Sequence, residues 1–417
     1  MIKRIFIPIL LFVLGPGAMI QGPAFASEYN IGTKIMGEVK KNTQNRQLFP
    51  VNGYISGSAY GSKTAVETNM RFFRDFDAKL DQYDLYQTVM HAVPFEKLQI
   101  DGGRQFINQG FSVEILDGLQ ATAKPTEYLA ITAFSGIPRN TEVQNFSPNT
   151  VLLTGLSLGL RDIKKTDAAL HVAWRKNNVE NTDFNKNDEI QVGAVLSHQF
   201  PVSMTPFVYG LIEADATGRM ISQATTGLDI YPHSRLALNA EFNYFNVNQG
   251  LDRQTIQELY TKGRTLEGRF SATWTILPQY LKLVENYYYD NIEVLPGDLR
   301  NNQRLDAGLE MIFDNIGLQF NPGYYFIKSF GGRLNGARVL IHEQFNDLFY
   351  AELSVDYTTY KKITNDNDDA VSLYGWSGYE IVKGLVLSGG FEYNKNNLFD
   401  RDVRGSFRLD YLFDHKS

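Results

Sequence analysis

Hydrophobic and polar residues alternate with a period of two along most of this chain. Between residues 266 and 276 the even positions are apolar or glycine, whereas the odd positions carry polar side chains such as Glu267 and Arg269. The same alternation runs through 349–359 and 404–413. A period of two predicts β-strands with one apolar and one polar face. These runs reach ten residues or more, the length that a tilted strand needs to cross a bilayer.

The connections between these runs alternate in length. Every second connection is short and often contains proline or glycine, as at 231–233, 277–279 and 382–384. The intervening connections are mostly longer and polar, as at 177–188, 246–262 and 291–302. Two connections that belong to the longer set are short, at 214–218 and 329–332. Short turns on one side and longer loops on the other are typical of a transmembrane barrel. In such a barrel the sheet must close, because lipid offers no hydrogen-bond partners to backbone N–H and C=O groups.

The predicted fold class is therefore all-β, a transmembrane antiparallel up-and-down barrel of about 20–22 strands. Residues 28–39 are either a first strand or a periplasmic arm, and the runs 51–61 and 64–75 are either two strands or one bent strand. Both readings give an even number of strands. The predicted organisation is an arm or first strand over 27–50, a barrel over 51–413 and a tail over 414–417.

Residues 1–26 predict a cleaved signal peptide. Lys3 and Arg4 precede an apolar run from Ile5 to Leu14, which is too short to span a bilayer. The segment Ala24-Phe25-Ala26 has the small residues of a cleavage site. We therefore expect a mature chain that begins at Ser27 and is exported from the cytoplasm.

The composition agrees with this architecture and excludes several classes of protein. The chain has 35 Gly, 28 Phe and 23 Tyr, no Cys, a net charge of −6 and a mean hydropathy of −0.26. The low hydropathy excludes a polytopic helical membrane protein. The absence of cysteine excludes disulfides, thiolate metal ligands and a thiol nucleophile. The mildly acidic balance makes nucleic acid an unfavourable partner.

The chain resembles the bacterial outer-membrane β-barrels of the porin type over essentially all of its mature length. Its last run, which ends at Phe413, resembles the C-terminal signal read by the barrel-assembly machinery, although Arg408 stands where that signal has glycine. The segment 102–105 (Gly-Gly-Arg-Gln), followed by Asp117-Gly118, also resembles an arrangement on neighbouring strands of alginate-export-type porins. The likeness implies a Gram-negative, multi-pass outer-membrane location, with lipid, lipopolysaccharide and the assembly machinery as partners.

Three features could be mistaken for reactive sites. Residues 155–159 match the G-x-S-x-G nucleophile motif, but the alternation continues through Ser157, so we expect a strand without a nucleophile elbow. The segment Asp183–Asn187 has the spacing of a calcium loop but lacks its glycine and its final glutamate. The six histidines are scattered without metal-ligand spacing. We predict no catalytic residue, no metal site, no cofactor and no enzymatic activity.

The charges on the polar face are the candidate pore-lining residues. A charge that faced lipid at midplane would cost about 2–4 kcal/mol, so these side chains should face the lumen. Cross-strand ion pairing is the simpler interpretation and a selectivity ring the alternative. Aromatic pairs such as Tyr324-Tyr325 are expected at the membrane interface, with a sugar-binding track as the alternative. The candidates are Arg161, Arg175, Glu267, Arg269, Arg304, Asp306, Glu310, Glu352, Asp356, Arg404, Arg408 and Asp410.

Three functions compete on this evidence. A wide barrel without a plug domain favours a channel for passive or modestly selective passage of small hydrophilic solutes. A sheath that houses a partner protein in its lumen, such as a multihaem cytochrome, is the first alternative. A polysaccharide exporter is the second. It is weakened because the polar face carries nine acidic residues and seven arginines when Arg235, Glu241, Glu380 and Glu392 are counted with the candidates. The sequence names neither the solute nor the oligomeric state.

Overall fold

The computed structural model describes residues 28–41, 47–75, 80–108, 113–139, 150–177, 188–246, 264–295, 297–329, 332–362, 367–396 and 402–416. The expected signal peptide and the calcium-like segment at 183–187 lie outside these residues. Within the described residues, no helix is long and apolar enough to cross a membrane. The strands are β1 (Glu28–Lys41), β2 (Gln47–Leu48), β3 (Pro50–Tyr60), β4 (Thr64–Asp75), β5 (Leu80–Phe95), β6 (Leu98–Asn108), β7 (Val113–Thr126), β8 (Leu129–Arg139), β9 (Thr150–Ile163), β10 (Thr166–Asn177), β11 (Glu189–Gln199), β12 (Phe207–Asp215), β13 (Met220–His233), β14 (Leu236–Asn246), β15 (Arg264–Leu277), β16 (Leu281–Leu295), β17 (Asp298–Phe313), β18 (Leu318–Ser329), β19 (Gly332–Gln344), β20 (Phe349–Lys362), β21 (Asn367–Val382), β22 (Leu385–Lys395) and β23 (Asp402–Lys416).

The sheet closes on itself through the first strand. β1 pairs antiparallel with β3 on one side and with β23 on the other, where the ladder runs from Glu28↔Lys416 to Val39↔Gly405. The two-residue β2 only extends the end of β1. The result is an antiparallel barrel of 22 strands, with β2 outside it. Closure removes the free edge that an open sheet would expose to lipid.

Closure also decides the ambiguous ends of the chain. Residues 28–41 form a barrel strand and not an arm, and β3 and β4 are two separate strands. The C-terminal end differs from the expectation, because β23 continues to Lys416 and includes most of the predicted tail. The cause is β1, whose first residues offer ladder partners to Asp414 and His415.

The connections confirm the alternation of turns and loops, with one correction. Short turns lie at one rim, as at 96–97, 127–128 and 383–384, and the short connection predicted near 214–218 is present at 216–219. The long loop predicted over 291–302 is wrong, because β16 and β17 continue through it and pair as far as Leu295↔Asp298. Gly297 adopts a φ of 84° there, which suits a tight hairpin. A 3-10 turn, Asp314–Ile316, lies at the short-turn rim.

Among the described residues none forms a central core inside the barrel, but one sector of the wall is closely packed. Ile107, Leu116, Phe134 and Leu153 form a cluster in which every side chain is at most 4% exposed. They lie on four neighbouring strands, β6–β9. Leu153 faces Gly136 across the ladder, and Phe134 faces Gly155 and covers it, so the glycines make room for the larger side chains.

The strands β5 and β6 separate beside this cluster. Their ladder runs from Phe95↔Leu98 to Thr88↔Arg104, and no ladder pair joins residues 82–87 to residues 105–108, all of which the structure describes. The separation begins just beyond Gly103, whose φ of 120° suits glycine and where a Cβ would collide with the Thr88 carbonyl oxygen. We call this separation the β5–β6 fork. Arg104 crosses the fork, and its Nη1 donates a hydrogen bond of 3.0 Å to the Leu85 carbonyl.

Candidate functional site

The wall has a concave inner face and a convex outer face, and a cavity shows which side chains lie on the inner one. The cavity, of about 630 Å³, is lined by residues of β1, β3 and β20–β23, including Glu352, Arg404 and Arg408. Six consecutive strands can share one cavity only on the concave side. The chain neighbours Leu353 and Val403 point the other way and are 38% and 59% exposed. Polar residues therefore face inward and apolar residues face outward in this part of the wall.

The predicted pore-lining residues all lie on the inner face. Glu352 and Asp356 share the inner face of β20, and direct ladder partners lie on the same face of the sheet. Asp356 is opposite Arg338, Arg338 is opposite Gly323, and Gly323 is opposite Gly308. Asp306 and Glu310 are each two residues from Gly308, so they lie on the inner face as well. Arg161 lies near the short turn at the end of β9, beside a register shift, so it is at the rim and not in the middle of the wall. Their part in solute passage stays a prediction.

Side chains of β12–β20 form a row of polar contacts on the inner face that we call the polar belt. The hydroxyl of Tyr209 donates to Glu241 at 2.7 Å, and Glu241 also accepts from Asn243 and lies 3.6 Å from Arg269. The ring of Tyr288 lies between two guanidinium groups, those of Arg269 at 5.7 Å and Arg304 at 5.6 Å. The belt consists of Tyr209, Glu241, Asn243, Glu267, Arg269, Tyr288, Arg304, Asp306, Tyr325, Asp356 and Thr358.

The belt continues past β17 through a tyrosine. Arg304 Nε donates to Asp306 at 2.6 Å, and Asp306 faces Tyr325 across the ladder. The hydroxyl of Tyr325 bonds to Asp356 at 2.5 Å and to Thr358 at 2.7 Å, although β19 lies between these strands. The intervening residue is Gly336, which leaves space for the tyrosine ring to pass over β19. Tyr325 therefore faces inward, and its neighbour Tyr324, which is 47% exposed, faces outward.

The ion pairs of the wall run across strands, as in Arg269–Glu241 at 3.6 Å, and also along single strands. Arginines bond to carboxylates two residues away on the same strand, as in Arg269–Glu267, Arg304–Asp306, Arg404–Asp402 and Arg408–Asp410. Alternate residues of a strand share a face, so the long arginine side chain reaches that carboxylate easily. Several direct cross-strand partners are neutral, such as Tyr288 opposite both Arg269 and Arg304. Lys282–Glu310 at 3.3 Å is another pair that crosses strands.

The cavity at the β20–β3 sector combines aromatic and charged side chains, and we call it the recess. The rings of Tyr374 and Trp376 stack with centroids 6.3 Å apart and planes 7° apart. Glu392 faces Arg404 across the ladder, while Arg404 bonds to Asp402 at 2.8 Å. Such a surface can bind a small polar solute by stacking and by charge-assisted hydrogen bonds.

A second polar network on the inner face was missed by the sequence analysis. His91 lies 2.7 Å from Asp101, which is only 3% exposed and also accepts hydrogen bonds from Gln99 and Gln120. Glu67 on β4 lies 3.9 Å from the same histidine. The alternation around Glu67 and His91 is less regular than elsewhere, so their common face could be identified only from the strand register.

Ser157 is in a regular strand, as predicted, but it has a partner that the sequence did not suggest. The Ser157 hydroxyl lies 3.0 Å from Nδ1 of His171, directly opposite it on β10. The ladder is regular on both sides, with no turn into a helix. A serine in such a strand lacks the sharp turn that exposes the nucleophile in the G-x-S-x-G motif.

The Gly-Arg-Gln and Asp-Gly segments meet across a ladder, but on the outer face. Arg104 pairs with Asp117 at 2.6 and 2.8 Å, and Arg139 contacts the same carboxylate at 2.7 Å. Their strand neighbours Phe106, Leu119 and Ile137 are exposed apolar residues that mark this face as outward. We call Arg104, Asp117 and Arg139 the outer triad.

The observations that decide the architecture are the closed ladder and the apolar outer wall. Large exposed apolar residues recur on the outer face of most strands, for example Leu170, Leu196, Trp274 and Leu353. Such a surface requires lipid, and closure leaves no edge strand in it, although the ladder is interrupted at the β5–β6 fork. The chain is an outer-membrane β-barrel. It crosses the outer membrane many times, with its short turns on the periplasmic side and its longer connections outside.

Comparisons with known proteins support the fold alone. No family model and no curated protein matches the chain. The translocation pore of the P pilus usher PapC has a TM-score of 0.53 at 8% identity, covering 92% of this chain and 99% of that chain. A BenF-like porin from Pseudomonas fluorescens has a TM-score of 0.44 at 7% identity, covering 93% and 98%. OccK2 (OpdF) of Pseudomonas aeruginosa, in complex with glucuronate, has a TM-score of 0.44 at 8% identity, covering 94% and 99%.

Proposed function

We propose that this barrel is a channel for the passive, modestly selective passage of small hydrophilic solutes. The observation that carries the proposal is the polar belt, which lines the inner face of the wall with both signs of charge. A water-filled lumen accommodates such charges, whereas a dry one would not. With 22 strands the barrel is wider than the sixteen-stranded porins that already enclose an aqueous channel.

The arrangement of the charges favours weak over strong ion selectivity. Within the belt each arginine has a carboxylate on its own strand, which cancels part of the local field, and the two further carboxylates, Glu241 and Asp356, leave a small excess of negative charge. The recess adds a place where a solute with an apolar ring face and polar edges could pause. Stacking on Tyr374 and Trp376 would retain such a solute only weakly, which suits passage.

Single-channel recording in planar bilayers tests this proposal. We expect step conductances from the refolded protein and a reversal potential displaced only slightly toward cation preference in a salt gradient. Arg269→Gln should shift the reversal potential toward cation preference, and Glu267→Gln should shift it toward anion preference. Lys176→Gln is the control of matched charge. Lys176 is exposed and is the chain neighbour of the inward-facing Arg175, so it lies on the outer face and its replacement should leave the reversal potential unchanged.

A correctly folded barrel that carries no current would contradict the channel proposal. It would favour a lumen that is filled in the cell, as in a sheath for a partner such as a multihaem cytochrome. Conductance that is large but blocked only by long anionic chains would instead favour a polysaccharide exporter.

A further inference from the structure

Three cations lie side by side on the outer face at the extracellular rim. In the ladders Lys328 is the direct partner of Arg333, and Arg333 is the direct partner of Lys361. All three side chains are exposed. They lie on three adjacent strands, β18, β19 and β20, and we call them the cation row.

The outward direction of the row follows from its strand neighbours. Lys328 shares a face with Tyr324, and Lys361 shares a face with Tyr357, and both tyrosines are 47% exposed. On the middle strand, Arg333 shares its face with Val339, the direct partner of the exposed Val355. The row therefore continues the lipid-facing surface upward and does not border the lumen.

Like charges directly opposite each other destabilise a sheet. Two such contacts follow one another here, and no ion pair joins any of the three cations to a carboxylate within the described part of the chain. Asp369 on β21 is a carboxylate on the same face, opposite Thr359, but it makes no ion pair with Lys361. The row is thus a concentration of positive charge that an external anion would stabilise.

The height of the row matches the lipid headgroups. Lys361 lies roughly 30 Å above Phe349 at the periplasmic turn, from the rise of a tilted strand. Directly below the row are the aromatic side chains Tyr324, Phe326 and Tyr357, residues of the kind that mark the membrane interface. Apolar residues such as Val355 and Leu353 continue below them. An anion at this level would be the headgroup of a lipid in the outer leaflet.

We propose that the cation row binds the phosphate groups of lipopolysaccharide through its lipid A moiety. Arg333 can donate two parallel hydrogen bonds to one phosphate, and the flanking lysines supply compact charges on either side. Adjacent strands are about 4.8 Å apart, so the row spans roughly 10 Å and can contact more than one phosphate group. The apolar band below it contacts the acyl chains, which free phosphate lacks.

The test compares the purified, folded barrel with single variants in uncharged detergent. The probes are doubly phosphorylated lipid A, its dephosphorylated form and inorganic phosphate. Native mass spectrometry measures the amount of bound lipid, and thermal unfolding gives the midpoint temperature of each protein. The variants are Arg333→Gln and Lys361→Gln. Lys383→Gln, in the periplasmic turn between β21 and β22, removes the same charge at the other end of the barrel and is the control.

We expect Arg333→Gln to weaken lipid A binding roughly tenfold, the factor that corresponds to losing one charge-assisted interaction. Without lipid A the same variant should unfold at the same temperature as the wild type or slightly higher, because a repulsive contact is removed. A merely structural arginine would instead lower the midpoint under both conditions. Lys361→Gln should behave similarly but more weakly, and Lys383→Gln should change neither quantity.

Three results would overturn the proposal. One is equal lipid A affinity for the wild type and Arg333→Gln. Another is equal binding of dephosphorylated lipid A, which would make the contact purely apolar. The third is full stabilisation by inorganic phosphate at the concentration used for lipid A, which would identify a site for free anions and not for a lipid.

Discussion

The polar-belt sector and the β5–β9 sector of the same barrel distribute charge in opposite ways. In the belt sector, charges such as Arg269 and Arg304 face inward and aromatic residues such as Trp274 face lipid. In the β5–β9 sector an apolar cluster that includes Phe134 lies on the inner face, while the outer triad around Asp117 lies on the lipid-facing side.

The difference shows that alternation determines which residues share a face but not what that face contacts. The outer triad is tolerated because its carboxylate binds both guanidinium groups and because long arginine side chains can reach toward the headgroups. The inner cluster is tolerated because glycines on neighbouring strands leave room for large side chains to pack against the wall. The β5–β6 fork lies at the junction of these two features and is bridged by Arg104.

The largest expected effect is on the outer triad. Asp117→Asn removes the charge that holds Arg104 and Arg139 on the lipid-facing surface, and we expect a loss of about 3–5 kcal/mol in the free energy of unfolding. The matched change in the belt, Asp306→Asn, should cost roughly 1 kcal/mol or less, because Arg304 borders water. Urea unfolding in lipid vesicles measures both. Equal losses would mean that the two sectors do not differ in their surroundings.

The apolar cluster offers the second test of the contrast. Phe134→Ala should leave a cavity in a close-packed part of the wall and cost about 3–5 kcal/mol. Phe270→Ala, on the lipid-facing side of β15, should cost less because acyl chains can fill the space. If the two variants unfolded at the same urea concentration, the inner cluster would not behave as a packed core.

The third test concerns the register of β20 in the ordinary part of the wall. Leu353→Arg should cost about 2–4 kcal/mol near the membrane midplane, whereas Ser354→Arg should fold normally, since that side chain faces the lumen. Heat-modifiable migration on gels reports folding, and the reversal potential reports the added charge. Failure of Ser354→Arg to fold, with normal folding of Leu353→Arg, would shift the register by one residue and exchange the two faces.

The smallest expected effect is that of Ser157→Ala. This change removes the 3.0 Å contact with His171 and should alter stability by about 1 kcal/mol or less. We expect conductance to be unchanged and no hydrolytic activity in either protein. A lipase or esterase activity in the wild type that disappears in Ser157→Ala would show that the inner serine is a nucleophile after all.

The sequence alone was sufficient for the fold class and for most of the wall. The period of two predicted the strands, the alternation of connection lengths predicted the two rims, and the combination predicted a closed, even-numbered barrel. The same reasoning put the pore-lining candidates on the polar face, and the ladder register agrees for residues such as Glu267, Arg304 and Glu352. These features are local, because each follows from the backbone geometry of one or two strands.

Tertiary structure alone decided what depends on neighbouring strands. The choice between an arm and a first strand at 28–41 required the pairing of β1 with β23. The network around His91 and Asp101, the contact of Ser157 with His171 and the cation row all join residues that are neighbours only through the strand register. The outer triad, which puts charges on the lipid-facing side, could not be predicted for the same reason. The energetic cost of a charge on that side depends on its cross-strand partner. A periodic pattern along one strand contains no information about that partner.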